Sequence, residues 1–598
     1  METPRALIQQ ADGHWSEYRR PLAVLSAESP AEVAGIIEEA ERRAAAEGAH
    51  AVGFVTYEAA PGLDVRLSAH RPGRLPTAWF ALFRDVCRGD APVAGTLAPL
   101  DWRSDLDSAA YGAAVADIRD WIQAGDTYQV NFSYRLQARL PDGVPDLARR
   151  LLGAMVGSAA GPAGVAPVDD PDGGGQGGFG ALLETADWAI CSASPELFFS
   201  RRGRRLTSRP MKGTAPRGEN PRSDAERADW LRGSAKNRAE NLMITDMVRN
   251  DIGRLADVGT VTAHELFRLE PYPTLWQMTS TVCGDTSASL AEIFRALFPA
   301  ASITGAPKRR TMEIIRALEP TPRQIYTGSI GVIEAGGDAR FNVAIRTVLL
   351  DKRCGRAEYG VGGGLLWDSA AAEELEETRT KARILRWPSA ADFALLETLL
   401  WTPERGCSLL EAHLDRLSRA AGYFSRPVDR GAVLAALQAA TADLPAETHR
   451  VRLLVDACGR PAVTVRPLAA LPAPQRVTIA RNPLALAGNP FVSHKTTRRD
   501  IYDTARRDAA ARGEADDVLL VNLAGEVTES TIANVVVDLQ GTLVTPPAAA
   551  GLLPGLFRAE LLTAGTVVEG RLTPDDLHRA RAVYLANSVR GLWQVTLV

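Results

Sequence analysis

Among its charged residues, this sequence is poorest in lysine. Of 68 basic residues only six are lysines, at positions 212, 236, 308, 352, 381 and 495, and the rest are arginines. Arginine cannot form a Schiff base, act as an amine nucleophile or release its proton near neutrality. A chain that uses arginine wherever a positive charge suffices therefore concentrates its lysines where a primary amine matters. Lys352, in the strand-to-turn stretch LLDKRCGR, reads as an exception. Cysteine is also sparse. Residues 87, 191, 283, 354, 407 and 458 lie far apart with no C-x-x-C, which excludes a disulfide frame or zinc site and reads as reduced thiols. No apolar run reaches the ~18 residues of a membrane span, and METPRALIQQADGHW lacks the apolar core of a secretory signal. The expectation is a cytoplasmic chain without a membrane partner. A net charge of −4 gives no basic field for nucleic acid. What is present is ordinary for globular domains: 598 residues, 46% hydrophobic and 23% charged, enough for more than one core.

The first ~385 residues read as alternating strands and helices. GFVTYEA (53–59) and WFALF (79–83) are strand-like, and YGAAVADIRDWIQAGD (111–126) has helical spacing. GPAGVAPVDDPDGGGQGG (161–178) has the composition of a mobile surface loop. WAICSASPELFFSRRGRRLTSRP reads as a hairpin turning at Arg202–Gly203. Helical patterns run from about Asp224 to Val248 and from Ala370 to Leu385. RWPSAAD (386–392) breaks the pattern, and the domain boundary is expected there, giving domains over 1–385 and 393–598. Beyond it come a strand (FALLETLLW), a turn and a helix (LLEAHLDRLSRAAGYF). No internal repeat relates the halves, so two unlike units are fused.

In the first half, Glu240 lies on one helical pattern, while Glu374, Glu377 and Lys381 share a face of another by their spacing of three and four. Oxygen ligands of this kind suit a hard divalent cation, which uses one or two carboxylates plus substrate oxygens. On spacing alone the same residues also describe a solvated helix with Glu–Lys pairs. The preceding GVGGG adds a place where backbone N–H groups can approach an anion.

GDTYQVN (125–131), SPELF (194–198), RPMKGTAPRG (209–218), AENLMITDMVRNDIGR (239–254), SITGAPK (302–308), GSIG (328–331), FNVAIRT (341–347) and GGGLLWDS (362–369) occur in that order. Together they resemble the chorismate-utilising family that includes anthranilate synthase component I and aminodeoxychorismate synthase component I. The resemblance implies a multilayered α/β (α+β) fold with a deep site for chorismate and magnesium. It assigns Glu240, Glu374 and Glu377 to the metal, and Thr304, Gly305, Tyr326, Arg346, Gly363 and Lys381 to the substrate. Glu196 matches a general acid/base near the leaving hydroxyl. Lys212 is diagnostic: anthranilate-forming relatives carry Ala at this point and aminodeoxychorismate synthases carry Lys. A lysine amine can add to the ring at a distant carbon, expel the hydroxyl by allylic shift, and be expelled in turn by ammonia. The bland alternative is a structural cation in a turn. Gln277 stands where many relatives carry His, and Asn237 where the anthranilate branch has a second Glu. No cysteine sits in a glutaminase motif, so a glutamine amidotransferase subunit or free ammonium is implied as the nitrogen source.

In the second half, SHKTTRRD (493–500) carries Lys495, and DDVLLVNLAGEVTESTIANVVV (516–537) carries Glu529, Ser530 and Thr531. Taken singly these are polar surface segments. With LLETLLW…LLEAHLDRL, GLLPGLFR (551–558) and LANSVRG (585–591) they resemble the class IV pyridoxal-phosphate fold of aminodeoxychorismate lyases and related aminotransferases. The resemblance makes Lys495 the Schiff-base lysine, Glu529 the partner of the pyridine nitrogen, and Arg416 the phosphate-binding fork. It puts Thr531, Ile532 and Ser588 around the phosphate, and raises a homodimer through this domain as an expectation. The fusion implies a route from chorismate through 4-amino-4-deoxychorismate to 4-aminobenzoate, a folate precursor, and pyruvate. Three alternatives stay open: an aminotransferase of other substrate in the second half, a water-using salicylate or isochorismate type in the first, and a non-catalytic second half that docks the amidotransferase.

Overall fold

The computed structural model describes the chain except residues 1–2, 93–99, 142–143, 145, 158–177, 219–220, 273, 387–392, 425, 471–474, 512 and 514. Most of the glycine-rich 161–178 stretch and of the expected boundary at 386–392 thus lies outside the described residues. The chain divides into two compact units, one within residues 1–389 and the other formed mainly by Ala390–Val598.

Among its described residues, the first unit holds two ten-stranded mixed-order sheets. One runs Gly305–Ala306, Gln129–Arg139, Arg356–Leu365, Thr347–Asp351, Trp188–Ser194, Phe179–Glu184, Arg5–Gln9, Trp15–Tyr18 and Val86–Gly89, with Arg103–Ser104 beside Gln129–Arg139. The other runs Met211–Pro216, Leu275–Asp285, Arg205–Arg209, Leu197–Arg202, Ala339–Val343, Ser329–Ile333, His50–Val55, Ala78–Phe83 and Ala23–Ala27, with Thr262–Pro271 beside Leu275–Asp285. Because side chains alternate along a strand, each sheet presents two faces. Val52, Phe54, Trp79 and Ala81 point to a core shared with Ile8, Tyr18, Leu183 and Ile190 of the opposite sheet. Their neighbours Ala51, Val55, Phe80 and Leu82 face an outer core with helices Val33–Glu47 and Leu290–Leu297. On the far side, Val130, Phe132, Cys191 and Leu350 pack against Ser108–Gln123 and Leu147–Gly157. Helix, sheet, sheet and helix therefore stack in layers. Strands buried on both faces need the near-continuous apolar runs seen at WFALF.

The local departures from expectation have simple causes. The 53–59 strand ends at Val55, and Tyr57–Ala59 becomes a 3₁₀ turn ahead of Pro61. The expected hairpin is Leu197–Arg202 with Arg205–Arg209 about Gly203, where φ is 53°. Trp188–Ser194 belongs to the other sheet, so Glu196 sits where the chain crosses between sheets. The long helix is broken at Ser234 into Pro221–Gly233 and Ala235–Gly253, because the Ser234 hydroxyl accepts from Asn237 N–H and starts a new helix. The last helix is Ala371–Ala382, followed by a 3₁₀ turn.

In the second unit, strands Gly406–Cys407, Leu395–Thr402, His449–Val455 and Pro461–Pro467 form an antiparallel sheet covered by helices Leu410–Tyr423 and Arg430–Thr441. A second sheet runs Val527–Ser530, Asp517–Val521, Arg476–Ile479, Gly591–Leu597, Ala582–Asn587, Asn534–Leu539, Thr542–Thr545 and Val568–Glu569. The pairing of Glu529 with Asn534 closes six of these strands into a ring, filled by Val477, Leu519, Val535, Val537 and Leu585. The segment after His494 joins the edge of the first sheet: Leu396 N–H donates to Lys495 O at 3.0 Å, and Thr497 N–H to Ala394 O at 2.9 Å. Lys495 is thereby fixed between the two sheets of this unit.

Candidate active sites

The first unit contains a cavity of about 450 Å³ lined by strands of both sheets. Lys212, Glu196, Glu240, Glu374, Glu377, Tyr326, Arg346 and Lys381, spread over residues 196–381, line it together. Lys212 comes from strand Met211–Pro216, which Asn241 ties to helix Ala235–Gly253 by donating to Lys212 O and Met278 O, both at 3.2 Å. That tie turns the adjacent Glu240 toward the cavity. The run of glycines in strand Arg356–Leu365 makes room: a Cβ at Gly364 would stand 2.5 Å from Lys212 Nζ and 2.7 Å from Gln129 Nε2. The Gln129 amide is fully buried and lacks a hydrogen-bond partner among the described residues.

Burial lowers the Lys212 amine from its usual range, and Lys381 adds to the effect, while Glu240, Glu377 and Glu196 oppose it. Glu196 is 3% exposed and accepts from Ser302 Oγ at 2.6 Å. Burial outweighs that bond and the nearby Lys212 charge, and lifts its carboxyl to about 7. The group can therefore hold a proton at neutral pH and release it. Arg346 is buried over the Tyr272 ring, 4.9 Å from its centre, with no carboxylate partner among the described residues. Such a guanidinium suits a substrate carboxylate. Lys381 Nζ contacts Glu377 at 2.7 Å and donates to Gly362 O at 3.0 Å.

The other expected substrate residues are placed differently. Gly363 faces the site only through its missing side chain, since a Cβ there would stand 3.5 Å from Glu374 Oε2 and 3.9 Å from Lys381 Nζ. Thr304 and Gly305 do not line the cavity. The Thr304 hydroxyl donates to Ala300 O at 3.1 Å, and Gly305 pairs with Val130, tight against Gln129 O. Ser302 and Ile303, just before them, form the wall instead. Gln277 is a wall residue that bolts the lysine strand: its Nε2 donates to Gly213 O at 2.9 Å and its Oε1 accepts from Thr214 Oγ1 at 3.3 Å. Neither function needs an imidazole.

Among the described residues no group of three His, Cys, Asp or Glu side chains is arranged to hold a metal ion by itself. Glu240, Glu374 and Glu377 nevertheless share one cavity. Burial, then mutual repulsion, raises Glu240 and Glu374, even though Ser369 Oγ donates to Glu374 at 2.6 Å. A hard divalent cation completed by substrate oxygens would relieve that repulsion, so the donor set fits one.

The second unit holds a narrower cleft lined by Lys495, Glu529, Arg416, Thr531, Ile532 and Ser588, all six expected there, and also by Arg499, Tyr502 and Asn534. Burial lowers the Lys495 amine, and Arg416 and Arg499 push it further, to about 8. Glu529 accepts from Tyr502 OH at 2.7 Å, Leu553 N–H at 3.0 Å and Asn534 Nδ2 at 3.2 Å. Burial still raises it to about 7. A buried carboxylate opposite a depressed lysine amine, with an arginine at the far side, fits pyridoxal phosphate: aldehyde, ring nitrogen and phosphate each find a complementary group. The hydroxyls are spent otherwise. Thr531 Oγ1 donates to Asp517, and Ser588 Oγ to Thr398 O at 3.4 Å. Any contribution of Thr531 to a phosphate falls to its backbone.

Residues 175–386 match the family model described as chorismate binding enzyme, and residues 394–598 that described as amino-transferase class IV. The chain joins a chorismate binding enzyme region to a class IV amino-transferase region. Aminodeoxychorismate synthase component 1 of Salmonella typhimurium is 38% identical over 289 residues, covering 48% of this chain and 59% of that protein. Anthranilate synthase component 1 1 of Haloarcula marismortui is 35% identical over 322 residues, covering 52% and 60%. The chain thus spans about three-fifths of the length of these curated relatives. The solved anthranilate synthase component I of Streptococcus pneumoniae superposes with a TM-score of 0.51 at 23% identity, over 64% of this chain and 92% of that one, a likeness of fold.

Proposed function

We propose that the chain converts chorismate to 4-aminobenzoate and pyruvate in two steps. The first unit aminates chorismate to 4-amino-4-deoxychorismate, using ammonia from a glutamine amidotransferase partner. The second eliminates pyruvate with pyridoxal phosphate. The observation that carries this reading is Lys212: a primary amine, lowered by burial, inside the cavity that also holds Glu196 and three carboxylates.

At the first site Arg346 and Lys381 would orient the substrate carboxylates. The Lys212 nitrogen donates its electron pair to a ring carbon, the ring double bond shifts, and the C–O bond to the hydroxyl breaks. Glu196 supplies the proton with which that oxygen leaves as water. Ammonia then adds at the original carbon, the double bond shifts back, and Lys212 departs as the free amine. Magnesium, held by Glu240, Glu374 and Glu377, would supply charge neutralisation for the carboxylate and the departing oxygen. At the second site pyridoxal phosphate would supply an electron sink. Glu529 keeps a proton at the ring nitrogen, and Lys495 removes the substrate's ring proton so that loss of the enolpyruvyl group leaves an aromatic product.

The deciding experiment is mass analysis of what the purified chain makes from chorismate, magnesium and ammonium. 4-Amino-4-deoxychorismate is expected without pyridoxal phosphate, and 4-aminobenzoate with it. Anthranilate, isochorismate or salicylate as the product would overturn the first-site reading. Accumulation of 4-amino-4-deoxychorismate despite the cofactor would overturn the second.

A further inference from the structure

The guanidinium of Arg416 is already engaged. Its Nε and Nη2 donate to the two oxygens of Glu397 at 2.8 and 2.6 Å. Glu397 Oε2 also meets His413 Nδ1 at 2.6 Å. Glu397 and His413 are each 1% exposed. His413 and Arg416 lie three residues apart on helix Leu410–Tyr423, so both project from one face onto strand Leu395–Thr402, which carries Glu397. The residue before it on that strand, Leu396, holds the backbone of Lys495. One strand therefore fixes both the lysine and, through Glu397, the arginine across the cleft from it. Nη1 of Arg416 and the second N–H of its Nη2, the end-on edge of the fork, have no partner among the described residues. A two-pronged phosphate contact is therefore left to that end-on edge alone.

We propose that Glu397, braced by His413, is a positioning residue that holds Arg416 so that its remaining Nη1/Nη2 edge meets the phosphate monoester of the cofactor. This rests on reading the second cleft as a pyridoxal-phosphate site. An arginine stem has four rotatable bonds, and ordering it is costly unless something holds it beforehand. A buried carboxylate with both oxygens occupied does so, and it leaves one charged N–H edge for a dianion. The rival account is an ion pair that merely fastens helix to sheet.

Two aldehydes separate these accounts. Pyridoxal 5′-phosphate and pyridoxal share the ring and aldehyde, and only the first carries the phosphate. Each is titrated onto the full chain stripped of cofactor, following the absorbance of the lysine-bound aldehyde. Glu397→Gln is expected to weaken pyridoxal 5′-phosphate roughly tenfold, the size of a lost charge-assisted contact, and to leave pyridoxal within about twofold. Glu397→Asp is expected to recover most of the loss. Equal weakening of both ligands, or of neither, would overturn the proposal. Should Glu397→Gln fail to fold, His413→Asn removes only the brace. A selective loss of about threefold for the phosphorylated ligand is then expected, and an equal loss or none overturns the proposal. A wild-type chain that takes up neither aldehyde overturns the reading of the cleft itself, whereas uptake of both with an unselective variant overturns the role of Glu397 alone.

Discussion

In the first unit the strongest charge acting on the buried lysine is a carboxylate; in the second it is a guanidinium. Burial lowers both amines, but the leading charged neighbour acts in opposite directions. Around Lys212 the main charged partner is Glu240, which keeps the amine more basic than burial alone would. Around Lys495 it is Arg416, which takes the amine lower still, to about 8. The contrast shows that desolvation makes an amine nucleophilic and the surrounding charge fits it to a partner. A ring of acids suits a cation and a substrate held through it. A pair of arginines suits an anionic cofactor.

The sharpest way to break this comparison is to remove each amine in turn. Lys212→Ala is expected to lower amination about 10³-fold, roughly 4 kcal/mol of transition-state stabilisation, with release of pyruvate from supplied 4-amino-4-deoxychorismate unchanged. Lys495→Ala is expected to do the reverse and to abolish the absorbance of lysine-bound pyridoxal phosphate. Cross-effects of similar size would mean that the two clefts do not act separately. Unchanged amination in Lys212→Ala would remove the covalent route.

Acid–base behaviour sharpens it further. Glu196 must be protonated to assist departure of the hydroxyl, and its carboxyl is held at about 7. Amination is expected to fall as pH rises through that value, and Glu196→Gln to lower the rate about 10²-fold while flattening that limb. A limb that persists in the variant belongs to another group. Lys495 has the opposite sign. Its amine must be neutral to attack the aldehyde, so the rate of cofactor uptake is expected to rise with pH and level off near 8, not near the usual 10.5. The folded chain binds fewer protons than the unfolded chain between those two values, so the cofactor-free protein gains stability as pH rises across that window. Uptake that climbs steadily to pH 10 would contradict the assigned surroundings.

The scarcity of lysine made much of both sites legible. Lys212, Lys236 and Lys381 line the first cavity and Lys495 the second. The two others serve structure: Lys352, read from the sequence as an exception, bridges Glu184 at 2.7 Å and Thr185 O at 2.8 Å. Lys308 likewise donates to Leu297 O at 3.1 Å. What stayed hidden depends on long-range placement or on the phase of a short turn. SITGAPK marked the right segment. Which of its residues face the cavity is set by the 3₁₀ turn Ala301–Ile303, so Ser302 is on the wall and Thr304 behind it. Glu397 and His413 sat inside quoted motifs, yet their pairing with Arg416 exists only once strand and helix pack. The break at Ser234 was written as Gly233–Ser234, a stop followed by a cap, but the helical pattern on either side masked it.

The smallest expected effect tests how closely Lys212 is held. A methyl group at Gly364 would stand 2.5 Å from its Nζ, the mobile end of a flexible side chain. Gly364 lies in strand Arg356–Leu365 and is not among the positive-φ glycines, so alanine fits its backbone. The same methyl would stand 2.7 Å from the buried Gln129 Nε2, so Gly364→Ala should fold with some loss of melting temperature while pushing the amine off its resting place, lowering amination about tenfold. The corresponding crowding in the second cleft is at Gly555, where a Cβ would stand 2.0 Å from Asn534 Oδ1. Asn534 supports Glu529, so Gly555→Ala should disturb the acid rather than the lysine: cofactor uptake by Lys495 should persist while pyruvate release drops. If Gly364→Ala leaves amination intact, the amine that reacts does not rest against that strand, and the likeness between the two lysines ends with their burial.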